Sequence, residues 1–203
     1  MVIIQALWIM KIKTPKPIYI NGLAFIPLSK ADYLHMQTWQ KTYAEHSLTG
    51  IGNPSLLDLP MTAFFASRQC PGAAIRAAMD WALQQAKAKA VVVSSFHSPL
   101  EQSVLKVLIQ ARSPVVAVLA RPVGGAKLPP EWIEPLNQGL MAVVSANLTT
   151  TRLTDEVAMA RNTLVAQLAT TIVVAHASPG GRLADLVAQW RLGRPHSVVE
   201  LHF

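Results

Sequence analysis

A chain of 203 residues holds one domain with a sizeable core and is too short for two ordinary ones. Hydrophobic residues make up 51% and charged residues 14%, which excludes disorder and favours a sheet buried on both faces, and the single cysteine, Cys70, excludes an internal disulfide. The formal charge is +7, and thirteen of the 18 basic residues lie beyond position 60, so the excess sits in the globular part, where it attracts polyanions such as nucleic acid or forms a solvated surface.

The first segment, Met1 to Met10, is apolar, with no positive region before it and no small-residue cleavage site. It is about half as long as a membrane span requires. The expectation is a buried strand, or an upstream start preceding Met10, in a cytoplasmic protein that makes no membrane contact. Residues 11–60 read as irregular, punctuated by Thr14-Pro15-Lys16-Pro17, Pro27 and Gly50-Ile51-Gly52-Asn53-Pro54. One helix is expected over 32–46, with Tyr33, Met36 and Trp39 (or Gln40) on one face. Residues 1–54 are expected to form an N-terminal extension packed on a domain of residues 55–203.

From residue 61 short apolar runs alternate with amphipathic stretches. Strands are expected at 61–66, 90–95, 115–120, 140–145, 171–175 and 197–201. Helices are expected at 73–87, 99–111, 131–137, 154–169 and 181–192. Strands rich in Val, Ile and Ala that alternate with helices of this length are the βα repeat of a parallel sheet. The expected fold is α/β and Rossmann-like: a doubly wound, mainly parallel six-stranded sheet with helices on both faces.

Ligands of such sheets bind outside the carboxyl ends of the strands. The residues just past each strand are Ser67-Arg68, then Ser95-Phe96-His97-Ser98, Arg121, Ser145-Ala146-Asn147, and His176-Ala177-Ser178-Pro179-Gly180-Gly181. They are small, hydroxylic or cationic, and none is acidic. Such a rim suits an anion, because hydroxyls, backbone N–H groups and helix N-termini all donate to phosphate oxygens. Ser98-Pro99-Leu100-Glu101 is also an S-x-x-E capping box with proline at the first helical position, which accounts for those residues structurally. His176, beside an apolar run, reads first as a hydrogen-bonded core histidine. Arg68, directly after a buried strand, must end in the cleft or pair with an acid. One cysteine and six scattered histidines give no metal-ligand spacing, and no cofactor is implied.

Four of these segments, in order, resemble the motifs of the DprA (Smf) DNA-processing family. Phe65-Ala66-Ser67-Arg68 resembles its G-S-R, and Ser94 to Glu101 occupies the place of its S-G-x-A-R-G-I-D segment. Ala160-Arg161-Asn162 resembles its R-N-R, and Ser178-Pro179-Gly180-Gly181 its glycine-serine loop. The resemblance implies a Rossmann-like domain that binds single-stranded DNA or a nucleotide and works in DNA recombination, as a homodimer with a recombination protein as partner. Carried over from the resemblance, Arg68 and Arg161 would contact phosphate with Asn162 alongside, and the strand ends add Ser67, Ser95, His97, Arg121, Ser178, Gly180 and Gly181 as candidates for phosphate contact. This chain departs from the pattern at Ser98, which stands where the family has arginine.

The same superfamily includes the LOG-like phosphoribohydrolases, with a P-G-G-x-G-T-x-x-E loop. Pro179-Gly180-Gly181 begins like it, but Leu183 and Ala184 replace Gly-Thr and Val187 replaces the glutamate. Hydrolysis of a nucleoside monophosphate would need a carboxylate in the acid/base role. Glu101 and Asp185, with His97 nearby, are the candidates for that alternative.

Overall fold

The computed structural model describes residues 38–201, apart from positions 125, 148, 151 and 195, together with residues 18–20 and 23–25. The chain divides into two units, Met1–Gln37 and Thr38–Phe203. In the first, β1 (Ile18–Ile20) pairs antiparallel with β2 (Leu23–Phe25). The apolar segment Met1–Met10 and residues 32–37 of the expected helix lie outside the described residues.

The second unit contains strands β3 (Trp39–Tyr43), β4 (His46–Gly52), β5 (Met61–Ala66), β6 (Val91–Ser94), β7 (Val115–Val118), β8 (Met141–Ser145), β9 (Thr171–His176) and β10 (Val198–Glu200). Its helices are α1 (Gly72–Ala88), α2 (Pro99–Gln110), α3 (Ile133–Asn137), α4 (Asp155–Leu168) and α5 (Arg182–Gly193). The sheet order is β10-β9-β5-β6-β7-β8-β4-β3, and the six strands from β5 to β10 run parallel. Every residue of β6, β7 and β8 is buried, as a sheet covered on both faces demands. Among the described residues no helix is long and apolar enough to cross a membrane.

The sheet has eight strands among the described residues, where six were expected. The added pair comes from the segment read as irregular or helical. β3 and β4 form an antiparallel hairpin around Ala44-Glu45, and β4 then pairs antiparallel with β8. Burial along β3 alternates with period two, which a helix does not do. A side chain at Gly50 would put its Cβ 2.3 Å from the Trp39 ring, so the glycine gives that ring its seat. The indole Nε1–H then donates to the Gly52 carbonyl at 3.0 Å.

Adjacent phenylalanines of β5 show how the sheet is covered. Phe64 stacks on Trp81 of α1 with ring centroids 4.8 Å apart, while Phe65 meets Trp190 of α5 at 4.7 Å. Successive residues of a strand face opposite sides, so α1 and α5 lie on opposite faces. Both phenylalanines are fully buried, and truncating either to alanine would cost about 3–5 kcal/mol.

Candidate functional site

The ends of β5 and β9 are locked together. The Ser67 N–H donates to the His176 carbonyl at 2.9 Å, and the Ser178 N–H donates to the Ser67 hydroxyl at 2.9 Å. A bulge between Phe65 and Ala66 shifts the pairing just before this point. Gly180, at φ 68, then makes a turn that disfavours any side chain, and Gly181 caps α5.

A second knot forms at the end of β6. Ser98 caps α2 reciprocally with Glu101, as the S-x-x-E spacing predicts. The Glu101 carboxylate goes further. It accepts from the N–H groups of Ala66 (3.2 Å), His97 (2.8 Å) and Ser98 (3.2 Å), and from the Ser95 hydroxyl (3.0 Å). One buried side chain thus fixes the end of β5 and the loop after β6. Burial holds its pKa above the ordinary carboxylate range, and the four donors offset only part of that rise. Within that loop Phe96 sits at φ 48, which costs a bulky residue about 1–2 kcal/mol. Burying its ring contributes about as much and offsets the cost.

These two knots floor a cleft of about 680 Å³ at the carboxyl ends of β5, β6 and β9. It brings together Ser67, Arg68, Ser95, His97, Arg161, Asn162, Ser178 and Gly181, so residues from all four motif segments face one space. Arg161, half-buried on α4, donates from Nε and Nη2 to the Asn162 Oδ1 at 3.2 and 3.1 Å. Burial lowers its pKa and Glu101 raises it again, but a guanidinium stays charged regardless. Burial also holds His97 below the ordinary imidazole range, with Arg161 and Arg68 adding to the effect.

The remaining expected site residues lie elsewhere. Arg121 is exposed past β7, where its Nη2 donates to the Lys127 carbonyl at 3.0 Å, and it does not line the cleft. Gly180 shapes the loop without lining the cleft. Asp185 is exposed in the first turn of α5, and it does not line the cleft either. The acid-free rim also needs correction, because Asp155 and Glu101 both line the cleft. Asp155 pairs across it with Arg182, and both are exposed. Arg182 was missed because its partner lies on another helix; its place at the start of a helix after a glycine pair was the available signal. With Arg68, Arg161 and Arg182 against Glu101 and Asp155, the cleft keeps a cationic balance.

The sequence profile of the family described as DNA recombination-mediator protein A matches residues 26–199. The chain belongs to this family. Among solved structures it is similar to the family's protein from Helicobacter pylori, reported with its single-stranded DNA binding mode, at 15% identity and a TM-score of 0.64. That match covers 82% of this chain and 81% of the other. It is also similar to DNA processing protein A of Streptococcus pneumoniae, at 18% identity and a TM-score of 0.63. Here the match covers 84% of this chain and 64% of that one, so the chain spans less than two thirds of the second relative. At such identities these structures bear on the fold alone. No curated protein sequence matches the chain.

Proposed function

We propose that the cleft binds the phosphate backbone of single-stranded DNA and that the chain works in DNA processing. The observation that carries this reading is Arg161. A half-buried guanidinium whose hydrogen bonds, among the described residues, go only to Asn162 is a cation held ready for an anion from outside. Arg68 and His97 face the same space, and the Ser95 hydroxyl lines it. The family's membership in recombination and the net charge of +7 support the same partner. On this reading Arg68 and Arg161 contact phosphates, Asn162 holds Arg161 in position, and Gly180-Gly181 keep the α5 start close to the strand.

The rival hydrolase reading gains no support from the geometry. Glu101 spends its carboxylate on four donors of its own chain, and Asp185 lies outside the cleft. The reading further has the chain act as a homodimer that passes the strand to a recombination protein, which sedimentation of the purified protein checks directly. Binding is tested by fluorescence anisotropy with single- and double-stranded oligonucleotides at two salt concentrations. Tight, salt-sensitive binding of the single strand, weakened by Arg161→Ala, is expected. Binding that ignores salt, or that ignores Arg161→Ala, overturns the proposal.

A further inference from the structure

Two carboxylates line the cleft, and they are held very differently. Glu101 is buried, and four donors of the chain occupy its oxygens. Asp155 is exposed, and among the described residues its side chain is partnered by Arg182 alone. That pair is two-pronged: Arg182 Nη1 meets Asp155 Oδ1, and Nη2 donates to Oδ2. Asp155 is the first residue of α4 and Arg182 the first of α5. Both helices pack into the core on the same face of the sheet. The pair therefore joins two helix starts across the cleft.

The partners stand in opposite relation to their own helices. A helix N-terminus carries a partial positive charge, which favours Asp155 and disfavours Arg182. Thr154 also caps α4 by accepting the Val157 N–H at 3.3 Å, so that terminus holds together without the pair. Asp155 keeps a favourable seat when the guanidinium leaves. Arg182 has none, and it needs an anion close by. With side-chain exposures of 59% for Arg182 and 63% for Asp155, the pair is screened by water and opening it costs little. A phosphodiester presents two free oxygens, which a guanidinium fork grips as it grips a carboxylate.

We infer that Arg182 is a third phosphate ligand of the cleft and that Asp155 occupies its guanidinium until a strand arrives. The inference rests on the phosphate-binding reading above and extends it to a residue that reading leaves out. In the empty cleft the carboxylate takes the place of the phosphate. In the complex the fork turns to the phosphate, and Asp155 is released to solvent. Arg161 differs, because its bonds go to the neutral Asn162 and no anion has to be displaced from it. Asp155 lowers affinity in two ways, by holding Arg182 and by repelling the incoming phosphate. Removing it strengthens binding, which loss of a merely structural clip between α4 and α5 would not do.

The test is a double-mutant cycle on the whole chain, read by anisotropy with labelled oligothymidine at low salt. Both residues are exposed, so Asp155→Asn and Arg182→Ala leave the core undisturbed. Asp155→Asn should tighten binding, and Arg182→Ala should weaken it. Repulsion by Asp155 acts in either background, but its hold on Arg182 acts only where Arg182 is present. The gain from Asp155→Asn should therefore be about threefold larger in the wild type than in Arg182→Ala, within the range open to an exposed ion pair. Equal gains in the two backgrounds mean that the pair is not exchanged on binding, and they overturn the inference. Weaker binding by Asp155→Asn, or unchanged binding by Arg182→Ala, overturns it too. In each of these cases the wild type still binds, so the phosphate reading stands. A wild type that does not bind oligothymidine overturns that reading, and the role of Arg182 with it.

Discussion

The Glu101 carboxylate accepts the backbone N–H of Ala66 at 3.2 Å, so the end of β5 and the start of α2 share one buried acceptor. The same carboxylate holds the Ser95, His97 and Ser98 donors. Glu101→Gln replaces one acceptor oxygen by an amide that is itself a donor, setting donor against donor in a buried place. We expect a loss of about 1–3 kcal/mol, read as a lower urea midpoint. Single-stranded DNA affinity should fall with it, because the loop bearing His97 loses its anchor. A variant as stable as the wild type would remove Glu101 from this positioning role.

Arg68→Ala should weaken single-stranded DNA binding by a similar factor for every base sequence. A phosphate contact releases about one counterion, so the slope of log K against log salt should become shallower by about one unit. Anisotropy across a salt series reads this slope. An unchanged slope would place Arg68 away from the phosphates.

Proton uptake should accompany binding at His97. In the free protein burial, Arg161 and Arg68 hold it below the ordinary imidazole range, so it is neutral at neutral pH. Arg182, Asp155 and Glu101 complete its charged surroundings in the cleft. A phosphate beside it favours the imidazolium, so its pKa is higher in the complex than in the free protein. Affinity is then greatest below the free-protein pKa and declines as pH rises through that of the complex. The change is about tenfold for each pKa unit of difference. His97→Gln should flatten the pH profile of the dissociation constant between weakly acidic and neutral pH. A wild-type profile already flat would exclude the imidazole from phosphate contact.

Gly50→Ala should cost about 1–3 kcal/mol, because the new methyl group falls inside the Trp39 ring position and nothing else can yield as cheaply. The displaced indole also loses its bond to the Gly52 carbonyl. A lower melting temperature, with DNA affinity retained below it, is the expected result. β3 and β4 lie at the far edge from the cleft, so lost affinity in a folded variant would contradict the placement of the site.

The parallel strands were legible because each is a run of Val, Ala and Ile bounded by turn residues, and burial on both faces leaves no other use for such a run. The Ser98–Glu101 cap was legible because both partners lie within one helical turn. The hairpin at 39–52 was not, because Tyr33, Met36 and Trp39 share a helical spacing. The alternation Trp39, Lys41, Tyr43 was the competing signal, and pairing with β8 decided it. Such a pairing is a tertiary fact that local pattern does not carry. At the cleft, Ser67, Arg68, His97, Arg161 and Ser178 could be placed from strand ends and motif order. Arg182 with Asp155 could not, since each becomes a cleft residue only through the other's helix. Arg121 misled for the opposite reason: it follows a strand, yet its side chain turns to the Lys127 carbonyl.

The attachment of β4 to β8 also governs the order in which the molecule can assemble. The Asn53 side chain reaches the Gly139 carbonyl 86 residues further along, beside the strand on which the hairpin docks. During synthesis β3 and β4 emerge and can pair locally while their docking strand has not yet been made. The βα units from β5 to β7 grow outward in sequence, and β8 closes that side only when it arrives. Until then the hairpin's inner edge is an open row of backbone donors and acceptors, with Leu48 uncovered beside it. Long-range closure of this kind slows folding and exposes the nascent chain to mispairing. A chaperone that shields short apolar edges should therefore be needed most while residues 53–140 are being made, and least once β8 is complete.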